Sequence, residues 1–425
     1  MVGHCGVFFC TLSWKAAHIS RFGSHFDGLT DGDDPDGDIL KFAKRKLLNN
    51  KDSLEEADVS GSLACLAMRF GLEFNEDEDS RDVSYKQVER HMRICLAAST
   101  GFKKLITCSA SEPLLAEAAY QLMLNSSASP VKILANHANL YCVDRGRRGE
   151  LVASLIIMQA RDASLPGYLA KRRWVPVTDF MEALLQPELS KSVLNSLPTL
   201  WREGDRDISF CEKFRDCYLW FNHVIKVEDS DVIKPKFIWK YIMRGAMIVC
   251  KDNQEGVDII LPVSTGLDKT ISRRTVTAIT IQVKNSESYG PNVDSRLFHA
   301  MDPCRLGMLS DDPLPIIRIV FALASPKAGV GFPPRREREN HRPDKFTSFD
   351  IWCAGLSTKI FKQIGGDLDS YVKLLDRSQT HDAFNVSEPN YPLSGDTKAI
   401  VGEIRWRMAP LVRSLGHDEI HHKSA

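Results

Sequence analysis

The feature that most constrains this chain is a pair of short β-branched segments near its middle. The first spans residues 256–263 and reads GVDIILPV, and the second spans residues 275–285 and reads TVTAITIQVKN. Both are rich in Val, Ile and Thr and are bounded by Gly, Pro or Asn, so they predict two strands joined by a polar, basic turn. Successive side chains of a strand point to opposite faces, which puts Gln282 and Lys284 on one face.

Asp258 is the one acidic side chain of the first segment. A carboxylate in an apolar strand is costly to bury unless a positive charge compensates it, and a metal ion together with Lys284 would do so. Taken singly, each residue also has an ordinary structural explanation. Asp258 would be a strand-end acid bonded to the backbone, and Gln282 and Lys284 would form the solvent face of an edge strand.

An aspartate on one strand followed by Gln-x-Lys on the next resembles the active-site motif of the PD-(D/E)XK nuclease superfamily. The form with Gln in place of the second acid resembles its Mrr-like branch. That superfamily also has a glutamate on a helix before the sheet, and Glu150 fits this position because an apolar stripe at helical spacing follows it. The resemblance rests on the order and spacing of four candidate catalytic residues: Glu150, Asp258, Gln282 and Lys284.

The resemblance implies an α/β fold of the restriction-endonuclease-like type, with a mixed central sheet flanked by helices and a mostly helical N-terminal region. It also implies metal-dependent hydrolysis of phosphodiester bonds in nucleic acid, with Mg²⁺ or Mn²⁺. Asp258 would bind the metal directly, and Gln282, the carbonyl of Val283 and Glu150 would be further ligands. Lys284 would orient the attacking water or stabilise the developing charge. An amide at position 282 should hold a hard cation more weakly than a carboxylate would.

A second resemblance extends over roughly residues 90–360. A Glu-Pro-Leu helix, the Gly- and Arg-rich sequence after it and the Glu-Leu-Val-Ala that follows are similar to the nuclease-like C-terminal part of fungal Crinkler-related P-loop NTPase/nuclease proteins. The chain departs from that group because it contains no Gly-x-x-x-x-Gly-Lys-Ser/Thr phosphate loop. No NTPase is therefore predicted, and residues 1–90 would be the remnant of an accessory region.

A chain of 425 residues fits one large domain or two to three ordinary ones. We predict a mostly helical accessory region over 1–140, a nuclease-like domain over 141–378 with a helical insertion at about 164–237, and a C-terminal segment and tail over 379–425. Outside the central pair, hydrophobic periodicity predicts helices over 38–48, 83–98, 112–123, 150–163, 179–185, 297–309 and 367–375, and strands over 246–250, 316–323 and 349–354.

Overall charge does not identify a partner, because 55 Lys and Arg balance 55 Asp and Glu. Any nucleic-acid surface must therefore be local. Nucleic acid, DNA rather than RNA, is the expected partner, and phosphates are the expected ligands of three basic clusters that are equally compatible with a solvated surface. These clusters are Arg147 with Arg148, Arg273 with Arg274, and Arg335 with Arg336. We recognise no basic run interleaved with aromatic residues, so stacking on single strands is not predicted.

The 11 cysteines are scattered and contain no Cys-x-x-Cys pair, which indicates reduced thiols rather than disulfides or a structural zinc site. No signal peptide or membrane-spanning run is recognised, which favours the nucleus or the cytoplasm. Three hypotheses stay open at this point. The chain is a metal-dependent nuclease, a catalytically inactive nuclease-like protein that binds nucleic acid or protein, or an interaction protein in which the motif is a coincidence.

Overall fold

A computed structural model of the chain describes residues 38–75, 78–99, 105–141, 145–165, 174–309, 313–335 and 345–376. The helices within these ranges are α1 (Asp38–Leu47), α2 (Val59–Phe70), α3 (Glu78–Arg90), α4 (Pro113–Leu124), α5 (Pro130–Asn136), α6 (Arg145–Ala163), α7 (Val177–Leu184), α8 (Pro187–Leu194), α9 (Phe210–Lys213), α10 (Pro235–Met243), α11 (Ser295–Ala300) and α12 (Leu368–Asp376). The strands are β1 (Ile94–Ala98), β2 (Leu105–Cys108), β3 (Val175–Pro176), β4 (Tyr218–Leu219), β5 (His223–Lys226), β6 (Ala246–Val249), β7 (Ile259–Ser264), β8 (Val276–Lys284), β9 (Ile316–Ala322), β10 (Gly329–Gly331) and β11 (Ser348–Ala354).

The described strands form one large mixed sheet and one small antiparallel pair, β1 with β2. The large sheet has the order β10-β11-β9-β8-β7-β4-β3, and β6 joins β7 and carries β5 at its other side. Strands β8, β9 and β11 are parallel neighbours, whereas β7 and β8 are antiparallel and form the predicted central pair. The predicted mixed sheet flanked by helices is confirmed, while the closer likeness to restriction endonucleases stays a prediction.

One face of the sheet is covered by α6. Ile279 and Ile281 of β8 belong to the main hydrophobic core, which also contains Val152 and Leu155 of that helix. All four side chains are fully buried. The apolar stripe predicted for the helix and the alternate apolar positions of β8 therefore meet in one interface.

The other face of the sheet is covered by α10 and α11. Ala278 of β8 packs in one cluster with Ile238 of α10, and Val320 of β9 packs in another with Phe298 of α11. Central strands with helices on both sides must be apolar on both faces, and β9 is buried along its whole length. The face under α10 and α11 is the one to which Gln282 points, because this residue alternates with Ile281.

A buried ion pair joins β9 to β11 on this second face. Arg318 and Asp350 are each 3% exposed, and two hydrogen bonds of 2.7 and 2.6 Å connect the guanidinium to the carboxylate. The same guanidinium donates to the carbonyl of Phe298 at 2.7 Å and to Oγ of Ser348 at 3.2 Å. The pair therefore also anchors the end of α11 to the sheet.

The described N-terminal region is mostly helical, as predicted, and it packs directly against the sheet. Leu63 and Phe70 of α2 and Tyr120 of α4 belong to the same core as α6 and the central strands. The domain boundary near residue 140 stays a prediction. The described part of the expected insertion supplies α7, α8 and α9 but also strands β3, β4 and β5 of the large sheet.

Most predicted elements are present within a few residues of their expected ends, but two helices are shorter than predicted. The helix predicted over 83–98 ends at Arg90, and β1 follows it. Met92 has a φ of 61°, a left-handed conformation that interrupts a helix. The helix predicted over 297–309 ends at Ala300, and Pro303, which has no N–H to donate, lies in the turns after it. The predicted C-terminal segment over 379–425 lies outside the described residues.

Candidate functional site

Asp258 lies directly before β7, at the end of the sheet where β8 finishes. Its N–H donates to the carbonyl of Ile281 at 2.9 Å, and its own carbonyl accepts from the N–H of Cys250 at 2.8 Å. Its carboxylate Oδ2 accepts from the N–H of Val283 at 2.6 Å. The bond from Cys250 continues the pairing of β6 with β7, whereas the bond to Ile281 is one residue out of step with the β7–β8 ladder, which ends at Ile259 and Ile281. Asp258 therefore lies at the end of this ladder, and its carboxylate reaches the main chain next to Gln282.

The charge of Asp258 is incompletely compensated. Burial disfavours the charged form and raises the pKa of this carboxyl group, while the Val283 N–H and the Lys284 ammonium act in the opposite direction without cancelling the effect. Desolvation without a matching partner is the usual cause of such a rise. A cation bound next to the carboxylate would lower its pKa and relieve the cost of burying it.

Gln282 presents a second oxygen that lacks compensation. The residue is 5% exposed, and its Oε1 accepts no hydrogen bond from the described residues. A buried acceptor without a donor costs about 1–3 kcal/mol, so such groups call for an explanation. An oxygen atom in this situation is a ready ligand for a hard metal ion.

Lys284 and the main chain of Val283 complete this part of the site. Lys284 ends β8 two residues after Gln282, and its Nζ lies 5.9 Å from the ring centroid of Tyr289. The N–H of Val283 faces Asp258, and the N–H and C=O of one strand residue point to the same edge. The Val283 carbonyl therefore faces the edge at which Asp258 lies.

Glu150 approaches the same end of the sheet from the opposite side. α6 packs on the face that Gln282 and Lys284 do not share. The start of the helix nevertheless touches the end of β8, because a Cβ added at Gly149 would lie 3.2 Å from Cγ1 of Val283. The missing side chain at position 149 is what permits this close approach.

Cys250 lies within electrostatic reach of both carboxylates. Burial, then the charge of Asp258 and then that of Glu150 raise the pKa of this thiol well above its ordinary value. The structure thus brings Asp258, Gln282 and Lys284 together at one end of the sheet and places Glu150 nearby, on the helix that covers the face to which Gln282 does not point. In the described part of the chain, no group of three or more His, Cys, Asp or Glu side chains is arranged to hold a metal ion.

Glu150 lines a separate, open cleft between α2, α6 and β5. At this cleft Arg147 and Lys226 both bind Asp252, at 2.6 and 3.0 Å, and Arg147 also pairs with Glu73 at 3.3 Å. The sequence does not single out Lys226 or Asp252, because only the pairing of β5 with β6 brings them together. Asp258 does not line this cleft.

Three of the predicted phosphate-binding arginines are engaged within the protein. Arg147 is ion-paired as described, and Arg148 is 6% exposed. Arg335 donates to two main-chain carbonyls at 3.2 and 2.7 Å and stacks 5.0 Å from the ring centroid of Trp201. These contacts fix loops and helix ends rather than present a free basic surface.

Arg273 and Arg274 are exposed, but they lie in the turn that joins β7 to β8. Strand β8 has nine residues, which at about 3.3 Å per residue separates this turn from Lys284 by roughly 26 Å. Arg336 lies outside the described residues. The predicted arginines therefore do not gather around Asp258, as far as the structure describes them.

A second polar cluster lies where α4 meets β5. Oγ of Ser111 is 2.9 Å from Nε2 of His223, and Nδ1 of His223 is 2.8 Å from Oδ1 of Asn222. Burial, followed by the charges of Arg244 and Arg69, lowers the pKa of His223 to about 3. Such an imidazole is a poor general base at neutral pH, so the cluster is best explained as a structural hydrogen-bond chain.

Acidification is expected to destabilise the protein through His223. Its folded-state pKa of about 3 lies below the unfolded value of 6.5, so the unfolded chain takes up the proton first. The contribution to stability is complete above pH 6.5 and is lost as the pH falls towards 3, by at most about 1.4 kcal/mol per pH unit. Urea unfolding of the wild type and of His223→Gln at several pH values measures this. The same acid dependence in both proteins would contradict the assignment.

Comparison with known proteins gives this architecture a family. A family model described as "Domain of unknown function (DUF8736)" matches residues 50–301, which is 252 of the 425 residues. The chain belongs to this family. The DUF8736 match contains all four predicted catalytic residues and the β7–β8 pair, and it ends before β9. No curated protein and no solved structure matches the chain. None of the helices that the structure describes is both long and apolar enough to cross a bilayer.

Proposed function

We propose that this chain is a metal-dependent nuclease that hydrolyses phosphodiester bonds of nucleic acid at the end of the β7–β8 pair. The observation that carries the proposal is the buried Oε1 of Gln282, which no described donor satisfies, on the residue before the one whose N–H binds the partly buried carboxylate of Asp258. Two acceptor oxygens at one end of the sheet favour a cation there. The ordered motif of Asp258 and Gln282-x-Lys284 supports the same reading.

A hard divalent cation fits the donors at this position. Asp258 would supply a carboxylate oxygen, Gln282 an amide oxygen and Val283 a main-chain carbonyl, which are the oxygen ligands that Mg²⁺ and Mn²⁺ accept. When bound, such an ion polarises a phosphoryl oxygen and lowers the pKa of a water molecule. Glu150 would contribute directly or through a bridging water, from the helix that covers the opposite face.

Lys284 would provide the fixed positive charge of the site. Its ammonium group is near enough to Asp258 to act on the pKa of that carboxyl, so it would also be near a phosphate held there. Phosphodiester hydrolysis places negative charge on the phosphoryl oxygens, and a preorganised ammonium stabilises this charge and orients the attacking water.

A catalytically inactive, nuclease-like binding module is the second candidate. Two features favour it: Gln282 supplies an amide where a second carboxylate would hold the cation more strongly, and Glu150 belongs to a helix that covers the opposite face of the sheet. A weaker hold on the cation would leave the protein able to bind nucleic acid or a protein partner without cutting it.

A cleavage assay on the purified full chain decides between the two candidates. We expect cutting in Mg²⁺ or Mn²⁺, first of DNA, and none in EDTA, and we expect Lys284→Ala to lower the rate by roughly 100- to 1,000-fold. Single- and double-stranded DNA and RNA are compared in parallel. Lys359→Ala, which removes an exposed lysine, is the control and should cut at the wild-type rate. Binding without cutting under every condition would favour the inactive module.

A further inference from the structure

Helix α10 carries basic and aromatic side chains that the site at Asp258 does not use. Its sequence is PKFIWKYIM. Ile238 and Ile242 are buried against the sheet, 5% and 0% exposed, so the side chains on the far side of the helix face outward. The outward stripe of α10 consists of Lys236, Trp239, Lys240 and Met243.

The lysines of this stripe lie along aromatic rings. Lys236 Nζ is 4.7 Å from the ring centroid of Phe237, and Lys240 Nζ is 5.8 Å from the same ring and 5.7 Å from that of Trp239. Both rings are partly exposed. This side of the helix therefore combines aromatic surface with positive charge.

Asp231, in the turn before the helix, acts on the charge of Lys236, but its ion pair is made with another lysine. Asp231 forms its ion pair with Lys234, at 2.6 Å, which lies outside the stripe. Lys236 forms no ion pair with any acidic side chain that the structure describes. A polyanion is the partner whose charge complements this surface.

α10 lies on the same sheet face as the candidate site. Ile238 shares a hydrophobic cluster with Ile260, which is two residues along β7 from Asp258. Further along the helix, the burial of Tyr241 raises its pKa to about 12, and the neighbouring Cys250 thiol contributes to the rise. Cys250 in turn donates its N–H to the Asp258 carbonyl. The helix thus lies beside the strands that carry the site.

We propose that the outward stripe of α10 binds a single strand of nucleic acid, with a base stacked on Trp239 and phosphates beside Lys236 and Lys240. Only unpaired bases expose the flat surface that an aromatic ring can stack on, and such stacking tolerates any sequence. The inference deepens the proposed function, on which it rests, by naming single-stranded nucleic acid as the class that is delivered to Asp258.

The helix also corrects the sequence-based expectation that no basic and aromatic residues interleave. The pattern Lys-x-x-Trp-Lys becomes one surface only when the segment winds into a helix that buries Ile238 and Ile242. A duplex would offer this helix phosphates alone and would leave the rings unused, which is why a single strand fits better.

The binding test uses the full chain in EDTA with a fluorescently labelled dT20 oligonucleotide and a matched duplex. Trp239→Ala should weaken binding of the single strand by about 5- to 150-fold, the range for the loss of one stacked base, whereas Trp239→Phe should retain most of the affinity. Val372→Ala, at an exposed apolar residue of α12 outside the stripe, is the matched control and should bind as the wild type does. Replacing Lys236 and Lys240 together by alanine should reduce the slope of log affinity against log salt by about 1.4.

Unchanged affinity of Trp239→Ala would overturn the inference, and so would equal affinity for duplex and single strand. Binding to phosphatidylserine vesicles that dT20 does not compete away would overturn it too, in favour of a membrane surface. If Trp239→Phe retains binding while Trp239→Ala does not, a position at which the fold tolerates substitution has lost affinity through loss of its ring. Because every titration is free of metal, failure of hydrolysis at Asp258 and failure of binding at α10 remain distinguishable.

Discussion

Replacing Arg318 by methionine is expected to lower the free energy of unfolding by about 3–5 kcal/mol. The substitution fills much of the same volume but leaves Asp350, which is 3% exposed, as a buried carboxylate without its cation. It also removes the donor to the Phe298 carbonyl, and that bond holds the end of α11 on the sheet. Equilibrium unfolding in urea, followed by circular dichroism, measures the loss.

A double variant distinguishes the cost of an unpaired buried charge from the cost of lost packing. Arg318→Met combined with Asp350→Leu should recover most of the stability, because a hydrophobic pair of similar volume can replace a buried ion pair at little cost. The exposed pair of Arg296 and Asp294 is the control, and Arg296→Met should have no measurable effect. Simple addition of the two losses in the double variant would contradict this explanation.

Replacing Asp258 by asparagine should abolish most activity and at the same time raise the melting temperature of the metal-free protein. Loss of the charged ligand removes several kcal/mol of transition-state stabilisation, which is roughly 100- to 1,000-fold in rate. Stability changes in the other direction because burial raises the carboxyl pKa above its unfolded value of 3.8. The stability linked to the protonated form is complete below pH 3.8 and is lost as the pH rises through the folded-state pKa. Asparagine has no such charge and keeps an oxygen to accept from the Val283 N–H.

Thermal melts in EDTA test the stability half of this prediction. The melting temperature of Asp258→Asn should exceed that of the wild type at pH 7, and the difference should vanish as the solution is acidified below pH 3.8. Addition of Mg²⁺ should raise the melting temperature of the wild type only. Asp268→Asn, an exposed carboxylate in the β7–β8 turn, should change neither activity nor stability. A lower melting temperature for Asp258→Asn at pH 7 would show that its charge is already compensated.

Local pattern was sufficient to predict the central strands and the helix that covers them. β7 and β8 follow from β-branched runs with turn residues at their ends, and the shared face of Gln282 and Lys284 follows from period-two alternation. The two-residue strands β3 and β4 could not be predicted, because two residues have no period. β3 pairs with β4, and β4 pairs with β7, so both strands form through tertiary contacts.

The position of Glu150 shows where sequence reasoning stops. Its place on a helix before the sheet is readable from an apolar stripe, but the stripe does not say which face of the sheet the helix will cover. That choice is made by the packing of α6 against Ile279 and Ile281. The pairing of Lys226 with Asp252 is equally inaccessible, since it depends on the parallel neighbours β5 and β6.

The strand order has a practical consequence for expression of a fragment that is limited to the residues of the family match. An expression fragment covering residues 50–301 would keep β8 but remove β9, its parallel neighbour from Ile279 to Lys284. One long, apolar strand would then offer its free backbone groups to other molecules, which is a common route to inclusion bodies. A fragment intended for soluble production should therefore continue at least to Ala354, where β11 ends.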